Sequence, residues 1–368
     1  MKVLICYWGR KGGGAEYTYE LTKEFVKQYN NKIFTSFSKN SEIFIKSNNL
    51  TKQSCHISTF DNRYDFLFKS LLLPLKLYKI LNFIRKNQID VVYTTMGHIW
   101  TPFLALMLKI AKVKHVFTVH DATVHPGDKT TPIWLDKIVY NNAFKLVFLS
   151  KYVSKQFEKN HTLELNKVIL SKHGILRFNS KNIISKDFDN INNFRLVFFG
   201  RILKYKGLKH LLRVQQKLEE KYDDIFLEIY GSGDISEYIE DINKIKNIKL
   251  VNKWISDDEI YEIFKEPCIN IVPYIEASQS GVIPVALSCA IPSIATNIGG
   301  LPEQVENDVN GLLINSNGLE EDLFNKIEYL YNNKKICNNF SKNCIDYVAT
   351  RLNWKNIITE LFINIRKS

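Results

Sequence analysis

The chain has 368 residues, 45% of them hydrophobic and 24% charged, which fits two globular domains of ordinary size and excludes a disordered polymer. Its six cysteines (Cys6, Cys55, Cys268, Cys289, Cys337 and Cys344) form no C-x-x-C pair and have no His at ligand spacing, so reduced buried thiols are expected and a structural zinc is not. The net charge of +12 is uneven: residues 1–186 carry 29 Lys+Arg against 12 Asp+Glu, or +17, and residues 187–368 carry 21 against 26, or −5, so the first half is expected to face something anionic, whether nucleic acid, lipid or a phosphorylated substrate.

In chain order, "KVLICYW" reads as a buried strand rather than a signal peptide. "AEYTYELTKEFVKQY" follows with Tyr17, Leu21 and Phe25 spaced by four, as in a helix. The run 64–87, "YDFLFKSLLLPLKLYKILNFIRKN", mixes aromatic and aliphatic residues with lysines. It suits either two core helices or a surface lying on an anionic leaflet. "VVYTT", "HVFTVHD" and "LVFLS" are strands separated by the helices "FLALMLKIAK" and "DKIVYNNA". No run reaches the roughly 18 apolar residues that span a bilayer.

After a polar, Asn- and Ser-rich stretch at 177–194, taken as an interdomain linker, the alternation restarts. "RLVFFG", "FLEIYG", "IKLV", "CINIVP" and "PSIATN" are strands. "GLKHLLRVQQKLEEKY", a segment near 235–245, "SDDEIYEIFK", "EEDLFNKIEYLYNN" and "WKNIITELFINIRK" are helices. Continuous apolar strands alternating with helices imply parallel sheets covered on both faces, here twice over. Ligands are then expected at the carboxyl ends of the strands, in a central cleft between the two domains.

Several strand-end loops carry residues suited to a phosphate. Gly12, Gly13 and Gly14 precede the first helix, whose N-terminus offers free N–H groups, although a tight strand–helix turn would also use them. Arg201 and Lys206 follow Gly200 at the end of "RLVFFG", five residues apart, and suit a diphosphate. Gly231 and Gly233 form a further strand-end turn that would admit close backbone approach. In "PYIEASQSGVIPVALSCAIP", Glu276 offers an acceptor for sugar hydroxyls. Ser278, Gln279, Ser280 and Gly281 offer side-chain and N–H donors at a helix start. One loop therefore offers a phosphate cradle and a hydroxyl acceptor, the combination a nucleotide-activated sugar requires.

"GGGAEY", "TVHD", "FFGRILKYKG", "EIYGSGD" and "PYIEASQSG…PSIATNIGGLPEQVENDVNGLLI" resemble, in this order, the retaining glycosyltransferases of group 1, or family 4. The resemblance covers nearly the whole chain and implies the GT-B fold: an α/β architecture of two Rossmann-like doubly wound domains facing a central cleft. Residues 1–186 would form the acceptor-side domain and 187–350 the nucleotide-sugar domain, with a last helix, 351–368, crossing back to the first. Residue by residue, it implies that Arg201 and Lys206 bind phosphate, Gly13 and Gly14 lie beside the donor diphosphate, and His120 closes on the donor sugar. Glu276 would be the first Glu of an E-x7-E motif. The second, a ribose ligand in the family, falls on Pro284, and counting back from Pro292 puts the pair on Ala277 and Val285 instead.

The implied activity moves a sugar from a nucleotide-diphosphate sugar to a saccharide, with a polyprenyl-diphosphate-linked acceptor at the cytoplasmic face of the membrane, in O-antigen or capsule assembly. No cofactor or metal is expected, since the only Asp-x-Asp, Asp187–Asp189, lies in the linker. No carboxylate nucleophile is evident, which favours a front-face route. Two other readings remain open: a GT-B-shaped sugar-nucleotide epimerase, and a non-catalytic nucleotide-sugar-binding protein. A nucleic-acid partner would explain the charge but not the loops, and is not expected.

Overall fold

The computed structural model describes residues 1–47, 50–51, 53–120, 133–162, 164–175 and 184–367. The chain forms two compact units. Among the described residues, the first takes those of 1–120, 133–174 and 354–367, and the second takes 175 and 184–353.

The first unit runs β1 (Val3–Tyr7), α1 (Gly13–Tyr29), β2 (Ile33–Phe37), α2 (Glu42–Ser47), α3 (Arg63–Leu71), α4 (Leu73–Asn87), β3 (Val91–Thr94), α5 (Thr101–Ile110), β4 (Lys114–Val119), α6 (Ile133–Asn142), β5 (Lys145–Phe148), α7 (Lys151–Asn160) and β6 (Val168–Leu170). Its strands pair in parallel in the order β2-β1-β3-β4-β5-β6. Every residue of β1 is buried, because alternate side chains enter cores on opposite faces of the sheet. Leu4 and Cys6 pack with Ile80, Ile84, Trp100 and Leu104.

The second unit runs β7 (Phe194–Phe199), α8 (Leu208–Glu219), β8 (Ile225–Gly231), α9 (Ile239–Asn243), β9 (Ile248–Asn252), α10 (Asp257–Phe264), β10 (Ile269–Val272), α11 (Val282–Ser288), β11 (Ser293–Thr296), β12 (Gly311–Ile314), α12 (Leu319–Asn332) and α13 (Lys334–Arg351). The order is β12-β11-β10-β7-β8-β9, again all parallel. Leu196 and Phe198 of β7 face one core with the α8 stripe Leu208, Leu211, Leu212 and Leu218, while Val197 faces the other with Phe264 and Val285. The last helix, α14 (Trp354–Arg366), packs on α1 of the first unit: Phe362 stacks on Tyr29 at 4.0 Å, and Thr359 donates to Gln28.

Two expectations shift. The division falls between Gly174 and Ile175, twelve residues before the expected 186. The end of the expected linker is also structural. The Lys186 N–H donates to Ser341, the Phe188 N–H donates to Asn338, and the Phe188 side chain is fully buried in the second core. Polar composition hid this, because the anchoring is by main-chain hydrogen bonds to α13. Residues 177–183 of that segment, and Asp121 of "TVHD", lie outside the described residues. Asp187 and Asp189 are engaged in the same turn: Asp187 accepts from the Asp189 N–H and Asp189 accepts from Asn338.

Candidate active site

In the second sheet the chain runs outward from β7 through β8 to β9, then returns to β10 on the other side of β7. Loops leaving the carboxyl ends of β7 and β10 therefore diverge, and such a switch point leaves a crevice. Here they are 200–207 and 273–281. Gly200 has φ +108°, and a Cβ built on it would lie 3.1 Å from the Lys206 ammonium and 3.1 Å from Val282 Cγ2. Lys206 is thus turned back onto the strand end, beside the start of α11. It is 7% exposed, and its ammonium sits 5.2 Å from the centre of the Tyr274 ring. Among the described residues no carboxylate pairs with it. Arg201, next to Gly200, is exposed.

The two loops are bound to one another. The Ile275 N–H donates to the Tyr205 carbonyl at 2.8 Å. Gly207, at φ +72°, is in van der Waals contact with the Pro273 carbonyl, where a side chain would have no room. Gly231 and Gly233 serve the packing of the strand-end loops. Cβ atoms on them would overlap the carbonyl oxygens of Gly200 and Ile202, so they let the β8 loop close on the β7 loop. Main-chain bonds from Gly200 N–H to Tyr230 and from Ile202 N–H to Ser232 complete this packing.

In the 276–281 loop, Glu276 is exposed and has no polar partner among the described residues, whereas Ser278 and Ser280 are buried. The Ser280 N–H, expected to be a free donor, is not free: it donates to Gln304 Oε1 at 2.8 Å. The Ser280 hydroxyl accepts from the Val282 N–H at 3.1 Å and so caps α11 itself. Gly281 is exposed, and among the described residues nothing lies within 4 Å of a Cβ built on it. Gln279 Oε1 is buried without a hydrogen-bond donor among the described residues. Ala277 and Val285 are both buried, Val285 inside the apolar cluster with Phe264 and Ile291, so neither register supplies a second carboxylate. Among the described residues no three His, Cys, Asp or Glu side chains converge as a metal site.

In the first sheet the switch point lies between β1 and β3. The glycine loop is anchored by Glu42, which accepts from the Gly12 N–H at 3.3 Å and whose own N–H donates to the Arg10 carbonyl at 2.8 Å. Among the described residues a Cβ on Gly13 would meet nothing within 4 Å, and one on Gly14 would run into the Met96 side chain, with Sδ at 2.6 Å and Cε at 3.1 Å. The Ala15 and Glu16 N–H groups donate to the Gly12 carbonyl at 2.8 and 3.3 Å, and the Gly13 and Gly14 amides ahead of them have no intrahelical acceptor. One turn on, the Tyr17 ring lies 5.5 Å from His120. His120 Nε2 donates to the Thr95 carbonyl at 2.7 Å.

Sequence reasoning missed two residues here. His173, after β6, packs 5.2 Å from the same Tyr17 ring, and its Nδ1 donates to the Gly174 carbonyl at 2.9 Å. Burial, with His120 nearby, pushes its pKa down to about 4. The sequence signal was "SKHG" after a strand, but with β6 unread it was not placed at a strand end. Gln304 was missed because nothing in "LPEQV" indicates a partner 24 residues earlier.

Residues 11–175 match the family model described as Glycosyltransferase Family 4, and residues 180–346 match that described as Glycosyl transferases group 1. An uncharacterised glycosyltransferase of Methanocaldococcus jannaschii is 24% identical over 323 residues, 82% of this chain and 87% of that protein. HepE of Anabaena, solved in complex with UDP-glucose, is similar with a TM-score of 0.75 at 17% identity, over 99% of each chain. WaaG, a glycosyltransferase involved in lipopolysaccharide biosynthesis, is similar with a TM-score of 0.66 at 12% identity, over 100% of each chain. The two structures speak for the fold, which is GT-B. With both units matched by family models, the chain belongs to the group 1, family 4 glycosyltransferases.

Proposed function

We propose that the chain transfers a sugar from a nucleoside-diphosphate sugar to a saccharide acceptor, with retention and without a metal ion. The observation that carries this reading is Lys206: a nearly buried ammonium at the β7–β10 switch point, with no carboxylate partner among the described residues. An unpaired buried charge is costly, and an anionic ligand removes that cost.

As the bond from the anomeric carbon to the phosphate oxygen breaks, negative charge grows on the departing diphosphate. Lys206 and Arg201 would bear that charge, the task a divalent cation performs elsewhere. Glu276 would accept hydrogen bonds from sugar hydroxyls, Ser278, Gln279 and Gly281 would line the donor, and Gly13, Gly14 and His120 would take the donor-side roles that the family resemblance implies. With no carboxylate nucleophile assigned, the acceptor hydroxyl attacks from the leaving-group face and gives its proton to the leaving phosphate. UDP-sugars come first to test, because the similar HepE was solved with UDP and with UDP-glucose.

A panel of nucleotide sugars should reveal one that raises the melting temperature. With that donor, Lys206→Met and Arg201→Ala should each lose about 10²–10³-fold in turnover, with folding intact and no effect of a chelator. Near-normal turnover in both variants overturns the assignment. Nucleotide release that requires no acceptor would favour the epimerase.

We further propose that the acceptor is lipid-linked, in surface-polysaccharide assembly, and that the first unit rests on an anionic membrane face. Along α3 and α4 the large apolar residues point to water: Tyr64 is 88% exposed, Phe68 67%, Leu71 80%, Leu75 67% and Tyr78 62%. Spacings of four and three put Tyr64, Phe68 and Leu71 on one face of α3, and Leu75 and Tyr78 on one face of α4. Residues 63–88 carry six Lys or Arg against one Asp. A second copy would bring like charge against like, whereas an anionic bilayer complements both properties. No helix among the described residues is long and apolar enough to cross a membrane.

A further inference from the structure

The β1–β3 switch point holds a histidine that the chemistry above does not use. Met96, at the end of β3, lies against Gly14, and two residues later comes His98. Its ring is fixed on three sides, with ring centroids 6.2 Å from Trp8, 5.4 Å from Phe60 and 5.3 Å from Trp100. The His98 N–H donates to Thr101 Oγ1 at 2.9 Å, and His98 Nδ1 accepts the Trp100 N–H at 3.2 Å. A neutral ring that accepts at Nδ1 carries its proton on Nε2. Nε2 has no partner among the described residues, and it is not one of the sealed, orphaned atoms such as His115 Nδ1. Burial pushes the His98 pKa down to about 4, so the ring stays a neutral donor.

Trp100 connects this ring to the exposed helices. Its Nε1 donates to Ser70 of α3 at 3.0 Å, and its ring lies 4.5 Å from the Lys76 ammonium of α4. His98 therefore stands where the glycine loop and the α3–α4 pair are joined. We infer that His98 is an acceptor-binding residue, whose fixed Nε2–H donates a hydrogen bond to an oxygen of the incoming acceptor, either a sugar hydroxyl or a phosphate of its lipid carrier. The inference rests on the glycosyl-transfer reading. A neutral, preoriented donor suits positioning an oxygen without charging it, and the cations for the leaving group lie in the other unit's loops.

The test uses the full chain with the nucleotide sugar that the panel selects. His98→Phe keeps a ring in the aromatic box. It should leave donor hydrolysis and donor KM unchanged and raise acceptor KM about tenfold, the size of one neutral hydrogen bond. His98→Gln, which retains an N–H donor, should recover much of that loss. If the effect is seen with a methyl glycoside, the partner is a hydroxyl; if only with the polyprenyl-diphosphate-linked saccharide, it is the carrier phosphate. An unchanged acceptor KM in His98→Phe, or an equal loss of donor hydrolysis at unchanged melting temperature, overturns the inference.

Nitrogen NMR of 15N-imidazole-labelled chain gives a readout independent of turnover. His98 should be protonated on Nε2 and neutral down to about pH 5, and Nε2 should shift on addition of methyl glycosides or inorganic pyrophosphate. An Nδ1-protonated ring, a titration near the ordinary histidine value, or no shift with either probe overturns it. If the wild-type chain turns over no donor, the glycosyl-transfer reading fails first and the NMR result alone decides on His98.

Discussion

Gln304 holds Ser280 with both ends of its carboxamide: the Ser280 N–H donates to Oε1 and Nε2 donates to the Ser280 carbonyl, each at 2.8 Å. This clamp shapes the 276–281 loop from a segment that comes after β11. Gln304→Ala should destabilise the fold by about 1–3 kcal/mol, since it strands a buried N–H and a buried carbonyl. Gln304→Glu should recover little, because a carboxylate accepts the N–H but repels the carbonyl. Denaturant unfolding measures the first effect. Donor KM should rise in both variants, and an unchanged KM would show that the loop keeps its shape without the clamp.

Two glycines that look equivalent in sequence should behave oppositely. Gly231, at φ +154°, is packed on the Gly200 carbonyl, so Gly231→Ala should cost about 3 kcal/mol or prevent folding. At the start of α1 a Cβ built on Gly13 would meet nothing within 4 Å among the described residues, so Gly13→Ala should change stability by no more than about 0.5 kcal/mol. Its methyl would stand where a donor is proposed to approach, so donor KM should rise. Melting curves of the two variants, side by side with donor kinetics, separate packing from binding.

How much of this was legible in sequence follows from the same physics. Interior parallel strands such as β1, β7 and β10 are buried on both faces and appear as apolar runs, so the alternation was readable. The strands that escaped, β2, β6 and β12, are all sheet edges. β2 carries Thr35 and Ser36, and β6 is only three residues long. Gly200, Arg201 and Lys206 could be placed after a strand because the apolar run of β7 ends just before them. The occupation of the Ser280 N–H by Gln304, and the use of Gly231 and Gly233 for loop packing, depend on long-range neighbours that no local pattern encodes. The α3–α4 stripe was ambiguous for another reason. Leu73, Ile80 and Ile84 fill the core from the same helix, so both faces are apolar and periodicity alone does not choose between them.

Acid stability should depend on one pair on the second sheet. Arg195 of β7 forks onto Glu228 of β8, with Nε and Nη2 each 2.7 Å from a carboxylate oxygen, and the Tyr230 hydroxyl donates to the same group. Burial alone would raise the Glu228 pKa, but the Arg195 and Tyr230 bonds outweigh it and hold the carboxyl below its ordinary 4.5. A depressed carboxylate stabilises the fold above its unfolded pKa, and that contribution is lost as pH falls through the folded value. Glu228→Gln should therefore destabilise the protein at neutral pH by about 2–3 kcal/mol, a partly exposed pair being worth less than a fully buried one. It should also flatten the fall in stability below about pH 4.5. Urea titrations across that range test both, and an unchanged acid limb would refute the assignment.

The exposed stripe on α3 and α4 makes a prediction that separates a membrane surface from a protein one. The full chain should float with vesicles containing phosphatidylglycerol at low salt, bind less as salt screens the lysines, and bind pure phosphatidylcholine weakly. Phe68→Asp with Leu71→Asp places two carboxylates in the middle of the stripe, at side chains that face water in the isolated chain. Melting temperature should therefore hold within the usual range for surface changes, while vesicle affinity should fall about tenfold or more through lost apolar burial and added repulsion. If the wild-type chain does not float at low salt but sediments as a dimer that the double variant dissociates, the stripe is a protein interface. Lys69 is already paired with Asp65 at 2.7 Å, but lysines at 76 and 79 would then have to be neutralised across it by acidic residues of the other copy, and these are sparse in the first half of the chain.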